Sequence, residues 1–362
     1  MTDFMTKNKE KLEQFAAMSQ AAGSRSDYVQ GGGGNTSVKL ADGLMAIKAS
    51  GYCLSDIRPD KAYAVLDYEA LRRFYYGNEP AQLVDVEKLG SACAKENTKL
   101  IEGMDALRPS VEAGFHSILK TFVCHTHSVY ANLAACSAAC CEIAEQAFTG
   151  ADYTWGWVPY TDPGANLTFA IRDELRRVEE KTGKVPSVIL MQNHGIIVHD
   201  DDAERCLAIH ADANERLAQQ FGIHGDSFPA ISVRQTGEEL YEADTPYLRE
   251  ALKNCRYDYK TFIETPLYPD QMVFLIGTFF MDKEGTPAEG ECYADTKTGA
   301  LVLHMGEKKA KTITETLTAV IFIMDTVTKM GYTVSTMGEA AKSFIANWES
   351  EKYRKSLAGK KG

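Results

Sequence analysis

The sequence predicts an α/β protein, on three observations. Amphipathic stretches of helical period, at residues 6–22, 165–181 and 203–221, alternate with short apolar runs such as Leu44–Lys48 and Val188–Met191. Turn-forming residues bound those runs: four glycines at 31–34, Asp42-Gly43, Ala49-Ser50-Gly51 and Asn193-His194-Gly195. The chain has 362 residues, more than one small core holds, and its patterning changes near residue 226. A division into 1–225 and 226–362 is therefore expected.

In order, residues 6–22 place Leu12, Phe15, Ala16 and Met18 among charged residues, a helix that ends near Gly23-Ser24. The four glycines permit positive φ and close backbone approach to a ligand, although a glycine run alone is as readily a flexible hairpin entry. The next residues, Asn35-Thr36-Ser37-Val38-Lys39-Leu40, alternate as a strand does. The run is therefore not a dinucleotide fingerprint, which opens a helix. Asp42-Gly43 makes a hairpin turn, and Leu44–Lys48 returns to Ala49-Ser50-Gly51. Two turns at the ends of paired strands can form one anion pocket from backbone N–H and hydroxyl groups. Lys39 and Lys48 are read as solvated strand residues.

A strand at 62–66, a short helix at 68–76 and an exposed helix at 86–104 come after that hairpin. Pro109-Ser110-Val111-Glu112 has the form of a helix start with a polar first turn. On its own, Glu112 there would simply complement the helix dipole. His116, one turn on, is read as a packing or supporting histidine. Residues 118–127 are a helix end and a buried strand, 130–145 a tightly packed helix, and 156–164 a loop. Pro186 breaks the chain before Val188–Met191, and 196–199 is expected to continue that strand beyond His194. Beyond 226 the expectations are a loop at 261–269, strands at 272–280 and 300–304, helices at 311–330 and 337–355, and a disordered tail at 360–362. His304 is isolated and read as structural.

Composition narrows the function classes. Hydrophobic residues make up 44% and charged residues 25%, as in soluble globular proteins. A net charge of -11 argues against nucleic acid, which needs a basic footprint, so an anionic substrate would need a local pocket of donors. The nine cysteines are odd in number and scattered without a CxxC pair, which reads as reduced thiols. Met1-Thr2-Asp3-Phe4 carries no signal-peptide pattern and no apolar run reaches the ~18 residues of a membrane span. A cytoplasmic protein with a small-molecule substrate, and without nucleic-acid or membrane partners, is expected.

The chemistry-bearing residues centre on Cys124-His125-Thr126-His127. Two histidines two positions apart on a strand share a face, so their ring nitrogens can meet one metal ion. Glu112 offers a carboxylate and His194 a third imidazole. Three neutral imidazoles with one open position is the composition of a catalytic zinc site, since structural sites are usually closed by four protein ligands. Each signal is weak alone, because histidine is also a common polar core residue.

Together and in this order, Gly34-Asn35-Thr36-Ser37, Ala49-Ser50-Gly51, Pro109-Ser110-Val111-Glu112, His125-Thr126-His127 and Asn193-His194-Gly195 resemble the class II aldolase/adducin family over about residues 5–225. The runs Gln30-Gly31-Gly32-Gly33-Gly34-Asn35 and Lys48-Ala49-Ser50-Gly51 are most similar to the aldolase half of bifunctional rhamnulose-1-phosphate aldolase/alcohol dehydrogenases, and residues 347–354 to the extension of those proteins. The chain carries no Rossmann glycine signature after this region, so the dehydrogenase half is expected to be absent.

The resemblance implies a three-layer α/β/α fold around a central, mainly antiparallel sheet, with 226–362 as an α+β extension. It also implies a homotetramer with active sites near subunit boundaries. By the same resemblance His125, His127 and His194 hold zinc, Glu112 is the catalytic acid/base, and Asn35, Ser50, Gly51 and Ser110 receive the substrate's phosphate. Val111 stands where phosphate-binding members often carry a second serine. Related aldolases take a tyrosine from a neighbouring subunit as general acid, and Tyr160 and Tyr153 are the candidates here. The expected activity is cleavage of a ketose 1-phosphate to dihydroxyacetone phosphate and an aldehyde. The competing readings are a decarboxylase, dehydratase or epimerase on the same site, and a non-catalytic adducin-like scaffold.

Overall fold

The protein is described from a computed structural model covering residues 3–347. Its first sheet has eight strands: β1 (Asn35–Lys39), β2 (Leu44–Lys48), β3 (Tyr63–Asp67), β4 (Thr98–Lys99), β5 (Phe122–Thr126), β6 (Trp155–Val158), β7 (Val188–Met191) and β8 (Gly195–Asp200). Their spatial order is β4-β3-β2-β1-β5-β8-β7-β6, and every neighbouring pair is antiparallel except β6 with β7.

Alternate residues of the central strands enter different cores, so the sheet is covered on both faces. Val123, Ile189 and Ile197 pack with Phe115, Phe169 and Leu175 from the helices Ala113–Ile118 and Ala165–Thr182. Their neighbours Cys124, Leu190, Ile196 and Val198 pack on the other side with Phe15, Leu133, Ile209 and Leu217 from the helices Lys9–Gly23, Val129–Ala135 and Ala203–Gln220. This is the expected three-layer α/β/α arrangement.

A second sheet lies in the C-terminal region: β9 (Val233–Gly237), β10 (Leu240–Ala243), β11 (Phe279–Met281), β12 (Cys292–Ala294) and β13 (Leu301–His304), in the order β11-β12-β13-β10-β9. The helix Glu307–Lys329 contacts β9 and β10, and its Ile313, Leu317 and Val320 join the same core as Leu133 and Ile209. One apolar cluster thus runs from Leu12 to Val327.

Several local expectations are corrected. The stretch 196–199 does not continue β7: the chain reverses at Asn193 (φ 51°) and Gly195 (φ 157°), and β8 returns antiparallel. Residues 130–145 form two helices, Val129–Ala135 and Cys140–Ala147, because residues 333–335 cross between them. There Ala138 N–H donates to Thr333 O (2.9 Å), and Ser335 N–H donates to Cys136 O (2.7 Å). The exposed helix expected at 86–104 stops at Glu96, and the edge strand β4 comes next. Residues 272–275 are the end of a helix, Pro269–Leu275, and not strand. Proline at the first helical position sets its backbone, and a short apolar run does not separate the two states by periodicity. Of the helix expected at 337–355, Glu339–Asn347 is described, and the remainder, with 348–354 and the tail 360–362, lies outside the described residues.

Lys39 is not solvated. It is buried, and its ammonium donates to the carbonyls of His116, Leu119 and Lys120 at the end of the helix Ala113–Ile118, where unpaired carbonyls attract a cation. Burial holds its pKa well below the ordinary lysine value.

The turn that carries His194 depends on Gly195. A Cβ there would collide with the carbonyl oxygen of Thr126, and its φ lies where L-residues are strained. Gly195→Ala is expected to destabilise the fold by roughly 2–4 kcal/mol, read as a lower urea midpoint at unchanged slope.

Candidate metal and phosphate site

Strand register assembles the site. Asn35 of β1 lies directly opposite His125 of β5, and His125 opposite Ile197 of β8, whose preceding turn holds His194. His127 is the first residue after β5 ends. The imidazoles of His125, His127 and His194 come together, all buried, each with a nitrogen within 4.8 Å of the other two. Glu112, just before the helix Ala113–Ile118, faces the same space: its Oε2 is 3.5 Å from His125 Nε2 and its Oε1 3.4 Å from His194 Nε2.

The hydrogen bonds fix which ring nitrogens face inward. His125 Nδ1 donates to the carbonyl of Ile196 (3.0 Å), and His127 Nδ1 donates to Asp270 Oδ2 (2.5 Å). Both Nε2 atoms therefore present lone pairs, and they lie 3.2 Å apart. That is close to the ~3.3 Å between two nitrogens bound at about 2.05 Å in a tetrahedral site. Burial lowers the pKa of His125 to about 4 and of His194 to about 3, so both are neutral near pH 7, the form that binds metal. The donor set, with the tautomers of His125 and His127, fits a divalent cation.

Burial alone would raise the pKa of Glu112. The Asn35 hydrogen bond opposes that rise, as do the imidazoles of His125 and His194 in their protonated form. Asn35 Nδ2 donates to Glu112 Oε2 (2.7 Å) and to Ser110 Oγ (3.1 Å). Asn35 Oδ1 accepts from His116 Nε2, and His116 Nδ1 accepts from Ser37 Oγ (2.7 Å). His116 is thus no member of the imidazole cluster; it orients the amide that holds Glu112. Glu112 Oε1 has no hydrogen-bond partner among the described residues.

A cavity opens over this cluster. Glu112, His127 and His194 form one part of its lining, and Asn35, Ser50, Gly51 and Ser110 another. An isolated bridge between Ala49 and Pro109 lays the two turns side by side, with Ser50 N–H donating to Arg108 O (2.9 Å) and Ser110 N–H to Lys48 O (3.2 Å). Lys48 corrects the solvated reading. It is buried and lines the cavity, its ammonium donating to the carbonyls of Tyr52 (2.8 Å) and Gly32 (3.1 Å).

The two tyrosines do not line this cavity. Tyr160 packs against the apolar cluster of Met272 and Met337, and burial raises its pKa. Tyr153 donates to Asp212 Oδ2 (2.7 Å) on the helix Ala203–Gln220. Sequence reasoning missed Asp270, 143 positions from His127. Tyr268-Pro269-Asp270 carries the marks of a helix start, but nothing local ties it to a histidine.

Residues 13–221, more than half the chain, match the family described as Class II Aldolase and Adducin N-terminal domain. The chain belongs to this family. Similar solved structures include the N-terminal class II aldolase domain of a conserved protein from Thermoplasma acidophilum (19% identity, 57% of this chain and 92% of that one, TM-score 0.47). Another is YgbL from Klebsiella pneumoniae, whose description leaves it between aldolase, epimerase and decarboxylase (18%, 60% and 91%, TM-score 0.40). A third is an L-fuculose 1-phosphate aldolase (20%, 59% and 88%, TM-score 0.37). No curated protein matches the chain. Class II aldolases use a divalent metal, and the buried histidine triad of this member can hold one. Among the described residues no helix is long and apolar enough to cross a membrane.

Loss of one of three nitrogen donors from such a site is expected to abolish tight binding. His194→Ala should fall from about one metal per chain to near zero after dialysis, measured by plasma mass spectrometry.

Proposed function

We propose that this family member is a zinc-dependent aldolase that cleaves a ketose 1-phosphate of the rhamnulose 1-phosphate kind between C3 and C4. The products are dihydroxyacetone phosphate and an aldehyde such as lactaldehyde. The observation that carries the reading is the sharing of one cavity by Glu112, two of the clustered imidazoles and the paired Ser50/Ser110 turns. An acid/base, a metal position and an anion cradle then lie within reach of a single small molecule.

When bound by His125, His127 and His194, the cation supplies Lewis acidity for the negative charge that develops next to a carbonyl as a carbon–carbon bond breaks. The remaining work falls to the chain itself. Asn35, Ser50, Gly51 and Ser110 receive the phosphate, and Lys48 supplies positive charge that the acidic surface lacks. Glu112 takes up and returns the proton at Oε1, the oxygen without a hydrogen bond, while Asn35 steadies Oε2. Holding both ends of the substrate contributes several kcal/mol toward the barrier, about the scale known for well-oriented reactants. Tyr160, supplied from a neighbouring subunit, is the candidate general acid.

The reading includes a catalytic unit at 1–225, a homotetrameric assembly and a cytoplasmic setting, supported by the resemblance and the reduced-thiol pattern. The complete His and Glu set speaks against a scaffold, and Glu112 speaks against an epimerase, where the family tends to have aspartate.

The test is coupled detection of dihydroxyacetone phosphate from a panel of ketose 1-phosphates, with and without chelator. Chelator-sensitive release is expected, and metal-loaded protein that releases none across the panel sinks the aldolase reading in favour of decarboxylation or dehydration. Glu112→Gln should retain metal and lose about 10²- to 10⁴-fold in kcat. Turnover at the wild-type rate would remove Glu112 from its role.

A further inference from the structure

We propose that Asp270, from the C-terminal region, is a positioning residue of the metal centre that fixes the tautomer and aim of His127. This rests on the metal reading above, but concerns residues outside the matched family region, which ends at 221. Asp270 Oδ2 lies 2.5 Å from His127 Nδ1, and both side chains are buried. With the carboxylate oxygen of Asp270 as acceptor, the Nδ1 proton stays on His127 and its Nε2 keeps a lone pair toward His125 and His194. Carboxylate support of this kind also raises the basicity of a ligating imidazole.

The other partner in the cluster is weaker in kind: His125 Nδ1 is held by the neutral carbonyl of Ile196. Among these contacts, then, a carboxyl group backs His127.

The segment carrying Asp270 is fastened to the site at Leu267 and braced internally by Gln271. Asn193 Nδ2, beside His194, donates to Leu267 O (2.8 Å). Gln271 closes the segment on itself, accepting from Leu267 N–H (2.8 Å) and donating to Phe262 O (2.8 Å). The glycine run accommodates it as well. A Cβ on Gly33 would collide with Asp270 Oδ2 and come within 3.0 Å of His127 Nδ1. Gly33 is therefore glycine because a carboxylate–imidazole pair occupies the space a side chain would need. The segment 267–271 thereby acquires a role: it completes the metal centre built by the aldolase-family part.

The test is metal affinity in the full chain, by competition with a chromogenic chelator, for wild type, Asp270→Asn and Asp270→Ala. The absorption spectrum of the Co²⁺-loaded proteins is recorded alongside. Asp270→Ala is expected to bind Zn²⁺ about 10- to 100-fold more weakly and to shift the Co²⁺ bands, with the isosteric Asp270→Asn intermediate. A purely structural role would lower the melting temperature of the metal-free protein and leave both metal readouts of the folded variant unchanged. That result overturns the proposal. If Asp270→Ala does not fold, Asp270→Asn decides: wild-type affinity and spectrum overturn it, weaker binding supports it. Wild-type protein that takes up no metal overturns the metal reading itself, a failure distinct from equal binding by all three proteins.

Discussion

The pairing of β1 with β5 is the constraint on which the site depends. Opposing Asn35 to His125 puts the amide that steadies Glu112 beside the first imidazole. The same pairing fixes how the glycine run enters and how β5 leaves toward His127. Side chains alternate between faces, so a one-residue slip would turn Asn35 and His125 to opposite sides of the sheet. Both faces are buried, and the apolar residues of β5 and β8 sort between two separate cores, which holds the register against such a slip.

Given that frame, the electrostatics result from burial. Imidazoles packed into a dry space stay neutral, and a carboxylate among them stays ionised only with donors to hold it. His116, Asn35 and Glu112 meet that need as a line of hydrogen bonds, with His116 neutral because it too is buried. The protein is acidic overall, yet the cavity has a buried ammonium in its wall at Lys48. Net charge and local charge are separate properties here, since Lys48 lies in the cavity wall.

Much of the site was legible in the sequence because its parts sit at turns and strand ends with short signatures. His125, His127, His194, Glu112 and the Asn35, Ser50, Gly51 and Ser110 turns all come to one place. The illegible part depends on contacts between distant positions. Lys39 and Lys48 sit on strands and looked solvated, since pattern alone does not reveal that carbonyls of other loops surround an ammonium. The chain reversal at Asn193 and Gly195 was hidden because the apolar residues on either side read as one strand. The break in 130–145 is imposed by residues 333–335, a tertiary override of local helix preference. Asp270 carries no signature for what it touches.

The crossing of residues 333–335 between two helices has a consequence for how the chain reaches its native state. Ser335 accepts from Asn193 Nδ2 at its carbonyl (2.8 Å) and pairs with Cys136 O, joining positions some 140 to 200 residues apart. Contacts of such sequence separation form late, after the entropy of closing a long loop has been met. During synthesis, the segment up to Gln220 emerges first, with the groups at Ala138 and Asn193 still lacking their C-terminal partners. The turn that carries His194 therefore gains its hydrogen bond to Ser335 only once the C-terminal region is present, which ties that corner of the histidine cluster to residues far along the chain.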